Sequence, residues 1–195
     1  MNLVERAKNI LVTPKTEWEV IKNEALSNND ILMKYVLILA AIPAICTFIG
    51  YSVFGIPVFI TTVKVPVGQG IAYMILYYIL TIAGVYIVAA IMDALAPSFG
   101  SAKNFNASLK VVAFSYTASW VAGIFHIFPA LSILSILGLY SLYLLWLGMK
   151  TVKEVPQDKM VGYYVVLIIA VIIVYFIIGT VVSAITLGSL YSELK

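Results

Sequence analysis

Four stretches of this chain carry no charge, and each is long enough to cross a lipid bilayer. Lys34 and Lys64 bracket 29 uncharged residues, Lys64 and Asp93 bracket 28, Lys110 and Lys150 bracket 39, and Lys159 and Glu193 bracket 33. A helix needs about 20 residues to cross the hydrocarbon core, rising ~1.5 Å per residue. The longest run would cover about twice that thickness as one helix. Pro129 sits near its middle, so the run reads as two spans joined by a very tight turn. Five spans follow, near 33–54, 71–92, 108–127, 130–149 and 161–187.

Composition excludes the soluble alternative. Of 195 residues, 63% are hydrophobic and 11% charged, against about 25% charged in a soluble domain. Too few polar side chains exist to coat a water-exposed surface. The long continuous apolar runs also exclude a transmembrane barrel, whose strands alternate in polarity over about ten residues. The expected fold is therefore an all-α integral membrane protein with five transmembrane helices. Its first 34 residues are charged and mixed, unlike a cleaved leader, and are expected to remain on the mature protein.

The bases set the topology. Arg6, Lys8, Lys15, Lys22 and Lys34 precede the first span, Lys103 and Lys110 fall between spans two and three, and Lys150, Lys153 and Lys159 between four and five. Those segments share one side of a five-span bundle, leaving Lys64 and Lys195 for the other. The positive-inside rule places the N-terminus in the cytoplasm. Residues 1–30 read as a cytoplasmic amphipathic tail and 31–192 as the transmembrane domain. With the bases spread between loops, nucleic acid is not an expected partner.

Two short interfacial helices are expected in the tail. Leu3, Val4, Ala7, Ile10 and Leu11 fall at helical spacing, as do Trp18, Ile21 and Ala25. Thr13-Pro14 ends the first helix and starts the second. Trp18 is the expected interfacial anchor at the headgroup level. Between the first two spans, β-branched residues around Thr61 and Thr62 predict a short extended segment within Gly55–Gly70.

Polar residues inside the spans are the candidate site. Ser115, Ser119, Gly123 and His126 succeed one another at spacings of 4, 4 and 3, one face of a helix. Span four offers Ser132, Ser135 and Gly138; span five offers Tyr175, Gly179 and Ser183. Such small residues serve as helix-packing seams or, where several faces meet around a gap, as a polar path. Asp93 closes the second span and needs a partner, for which Lys110 is the nearest candidate. The intramembrane polar set is thus Asp93, Lys110, Ser115, Ser119 and His126.

Enzyme chemistry finds little footing. One His and one Cys leave a zinc site incomplete. Asp93 has no second carboxylate beside it in the spans, and Ser119 stands seven residues from His126, ~10 Å along a helix. No Walker A or dinucleotide fingerprint is present. No metal, cofactor or catalytic residue is expected.

The residues do resemble a family. Asn9-Ile10-Leu11-Val12-Thr13-Pro14-Lys15-Thr16-Glu17-Trp18 resembles the N-I-L-x-x-P-x-x-x-W opening of short prokaryotic members of the Ypt/Rab-interacting, or Yip, family. Further matches are Phe99-Gly100, Phe114-Ser115, Trp120 with Pro129, and Tyr140-Ser141-Leu142-Tyr143 leading to Gly148. The family pattern often reads Tyr-Ser-x-x-Pro in span three, where this chain has Phe114-Ser115-Tyr116-Thr117-Ala118. The resemblance implies five spans, a cytoplasmic N-terminus and, for a bacterial member, the inner membrane. It implies a non-enzymatic scaffold or interaction protein in membrane organisation or trafficking, with lipids, a second copy or a cytoplasmic protein as partners. The alternative is a small channel or transporter for an ion, proton or lipid.

Overall fold

The computed structural model describes residues 2–193 apart from Phe59, without the side chains of Val58 and residues 185–193. Lys195, assigned above to the far side, lies outside the described residues. The fold is all-α, with five helices long and apolar enough to cross a membrane: Asn28–Phe54, Val67–Phe99, Phe105–Ile127, Pro129–Thr151 and Gln157–Ala184. Each predicted span falls inside one of these, save that 185–187 extend past the last.

The tail folds as two helices, α1 (Leu3–Val12) and α2 (Pro14–Asn23). Asn2 caps α1 by accepting a hydrogen bond from the Glu5 N–H, and Pro14 takes the first position of α2, where no N–H is needed. The helices do not lie free on a surface. Ile10, Trp18 and Ile21 are fully buried, and α1 and α2 pack along the third and fourth spans. The Tyr140 hydroxyl donates to the Leu11 carbonyl across 3.3 Å. Val4 is 75% exposed, and α2 ends at Asn23, which leaves Ala25 off the buried stripe.

Ser27 and Asp30 form a reciprocal capping box that starts the first span at Asn28, earlier than apolarity alone indicates. A hairpin of β1 (Ile56–Val58) against β2 (Thr61–Val63) follows, antiparallel, with Ile56 opposite Val63. This is the extended segment expected between Gly55 and Gly70. Gly55, at φ 85°, makes the turn into it, a conformation that glycine adopts freely.

The third span is the centre of the bundle: 72% of its membrane-length window is buried, against 22% for the fifth. It is also the least hydrophobic, because its neighbours are helices rather than lipid. It is not one continuous α-helix. The Ser115 hydroxyl donates to the Val111 carbonyl and the Thr117 hydroxyl to Phe114, and the helix breaks at Tyr116 without a proline. Such back-bonding bends helices. From Gly123 to Ile127 the chain tightens to a 3-10 turn, then reverses at Phe128. The fourth span opens as a 3-10 helix from Pro129 to Leu139 and becomes α-helical at Tyr140.

Candidate functional site

The five polar candidates do not form one site. They separate into a charged cluster at the tail end of the bundle, an internal bond at Ser115, and a cavity toward the hairpin end.

At the tail end, Asp93 and Lys110 are both buried, yet they do not pair. The Asp93 carboxylate accepts from the Asn104 N–H at 2.6 Å and the Ser108 hydroxyl at 3.4 Å, and lies 3.6 Å from the Lys153 ammonium. Lys153 also donates to the Ala102 carbonyl at 2.7 Å, and the Ser101 hydroxyl to the Lys153 carbonyl at 2.5 Å. This network ties the two tail-side loops together. Burial pulls the Lys153 ammonium below the usual lysine value, with Asp93 opposing.

Lys110 instead reaches α2, donating to the carbonyls of Ile21 at 3.1 Å and Glu24 at 2.6 Å. It caps the carbonyl end of that helix, where a cation also meets the negative pole of the helix dipole. Lys110 is the lock of the tail rather than the partner of Asp93. Arg6 completes the lock: its guanidinium bridges Glu17 and Glu24 and lies 5.7 Å from the Phe114 ring centroid. At the rim, Lys22 and Glu154 pair at 2.5 Å, which raises the lysine and lowers the carboxyl from their ordinary values.

Trp18 is likewise not a headgroup anchor. It is fully buried, edge-on to Phe114 at 6.5 Å between ring centroids. A Cβ on Gly148 would lie 2.8 Å from its ring, so only glycine admits it. The apolar stripe that contains Trp18 faces protein, with Arg6 held by Glu17 and Glu24 and Lys110 by the α2 carbonyls beside it.

Toward the hairpin end, a cavity of about 920 Å³ opens among all five spans, to which the first contributes Pro43. Ser119 and His126 line it; Ser115 does not. The Ser119 hydroxyl donates to the Gly138 carbonyl at 3.0 Å and meets the Ser141 hydroxyl at 2.9 Å. His126 Nδ1 lies 3.4 Å from the Thr47 hydroxyl. Spaced by three, Ser132, Ser135 and Gly138 all line the cavity, since a 3-10 helix has three residues per turn and stacks them on one face, and Ser141 joins them from the α-helical part that follows. No Asp, Glu, Lys or Arg is among the lining residues. Among the described residues, no three His, Cys, Asp or Glu side chains converge as a metal site would need.

The Yip1 domain family matches residues 8–179. The chain belongs to that family. No curated protein and no solved structure matches the chain. The Yip1 domain takes in the fifth span through Gly179, so the cavity and all of the charged cluster but Arg6 fall within it. Of the motif residues that carry the resemblance, Pro14 starts α2, Trp18 wedges the tail into the bundle, and Ser141 lines the cavity. Arg6, Lys153, Thr81 and Tyr116 are not among the site residues that the sequence singles out. Of the small and polar residues singled out in the spans, Ser119, His126, Ser132, Ser135, Gly138 and Tyr175 line the cavity.

Proposed function

We propose that this Yip1 domain protein is a non-enzymatic scaffold of a bacterial inner membrane, holding a cytoplasmic protein partner against its tail. The carrying observation is that the tail is fixed in place. Arg6, Lys110 and Trp18 lock α1 and α2 to the bundle, while Val4, Val12 and Val20 remain exposed beside Lys8 and Lys15. A rigid face with apolar and basic side chains suits recognition better than a mobile tail would, because less ordering is left to offset on binding. A second copy of the chain and the surrounding lipids are further partners of such a scaffold.

Deleting the tail is a poor test, since it would uncover Phe114 and the buried cations. The double change Val12→Asp with Val20→Asp alters only exposed positions. Cross-linking in native membranes should recover a discrete partner with the unaltered chain and lose it with the variant. Identical recovery with both would defeat the scaffold reading. Transport of an ion or proton draws no support from the geometry. Asp93 and Lys110 are engaged at the tail end, and His126 lies at the other.

A further inference from the structure

The cavity contains buried hydroxyls that the rest of the fold satisfies poorly. The Thr81 and Tyr116 hydroxyls are buried and make no well-formed hydrogen bond among the described residues, although Tyr77 and Tyr175 stand beside them. Both residues line the cavity, and Thr81 is only 1% exposed. A buried hydroxyl without a well-formed hydrogen bond is costly, and no bulk water is at hand inside a membrane to relieve it. Two such groups in one cavity mark where a ligand's polar atoms belong.

The setting specifies that ligand. The mouth is flanked by Ile133, Ile136 and Ile172, which are 73%, 59% and 61% exposed, so it opens sideways onto hydrocarbon. The lining carries many hydroxyls and no cation, so a phosphate group would find nothing to balance it. Hydroxyl donors are matched by carbonyl oxygens. Thr81 stands fourteen residues inside the second span, roughly 21 Å from its start at Val67, deep in the bilayer. At about 920 Å³ the space is of the size that holds a whole organic molecule.

We propose that this cavity binds an uncharged, carbonyl-bearing lipid taken laterally from the bilayer, with Thr81 and Tyr116 donating to its carbonyl oxygens. The serine face of the 3-10 helix forms the adaptable wall, and its isoleucines form the rim. This site needs no protein partner, so it stands or falls separately from the scaffold reading.

The test uses the full chain in vesicles of phosphatidylethanolamine and phosphatidylglycerol, doped with a photoreactive diacylglycerol. Peptide mapping should place the label within residues 132–142 or 168–175, and unlabelled diacylglycerol should compete it away. Thr81→Val keeps the side-chain shape and removes one poorly satisfied hydroxyl, so folding is not at risk; labelling should fall roughly fivefold, the loss of one hydrogen bond. Ser135→Trp should block the label by filling the space. Three results would overturn the proposal: equal labelling by a photoreactive phosphatidylglycerol, uncompeted labelling spread over the whole lipid-facing surface, or labelling unchanged by Thr81→Val.

Discussion

Trp18 shows how one side chain decides what a helix does. Its sequence context, an apolar stripe among charges, is that of an interfacial helix, and an indole suits the headgroup level. The structure puts it between Phe114 and Gly148 with no exposure. The difference arises from Gly148, distant in sequence, whose missing side chain leaves the slot. Trp18→Ala should therefore cost about 3–5 kcal/mol, the usual range for a buried aromatic. A headgroup anchor would cost far less. Thermal unfolding in detergent checks this, with an unchanged midpoint counting against the buried wedge.

At the scale of elements, the loops are joined by ionic bonds between distant parts of the chain. Asp93 from the second span, Asn104 and Ser108 around the start of the third, and Lys153 after the fourth form one network. Asp93→Asn should weaken the fold by about 1–3 kcal/mol through lost acceptor strength and an under-compensated Lys153. The lysine also gives a pH signature. Burial lowers its native value below that of the unfolded chain, so the folded state is penalised while the lysine is charged. Stability should rise as pH climbs through the lowered value toward the ordinary lysine range near about 10.4, because the unfolded chain holds the proton longer. Comparing stability against pH for the unaltered chain and Lys153→Met isolates that rise. Parallel curves would show that Lys153 does not contribute it.

For the whole molecule, the central question is how firmly the tail is held. Lys22 and Glu154 form the outermost link, and Glu154 adopts a left-handed backbone conformation at φ 49°, which glycine would accept without strain. Exposed pairs of this kind are weak and screened by salt. Glu154→Gly should leave the melting temperature equal or higher while speeding amide exchange in α2. If exchange in α2 is unaltered, the Arg6 and Lys110 contacts alone hold the tail. The acid side has the same sign: Glu154 sits below its ordinary value because of Lys22, so this link is fully present above the ordinary value and is lost as pH falls through the lowered one.

The sequence by itself determined the elements. Charge-free run lengths, Pro129, Thr13-Pro14 and the β-branched residues near Thr61 are local signals, and local signals suffice for spans, turns and short helices. The motif order also sufficed for the family. Only the tertiary structure decided the partners. Asp93 joins Lys153 rather than Lys110, and Lys110 caps α2, because pairing depends on which loops meet across the bundle. Spacings of 4, 4 and 3 assume an unbroken helix, and Ser115 and Thr117 break it at Tyr116, which parts Ser115 from Ser119 and His126. The cavity is legible in no single segment. It exists because the spans diverge there, and a gap between helices is a property of their packing, not of any one helix's residues.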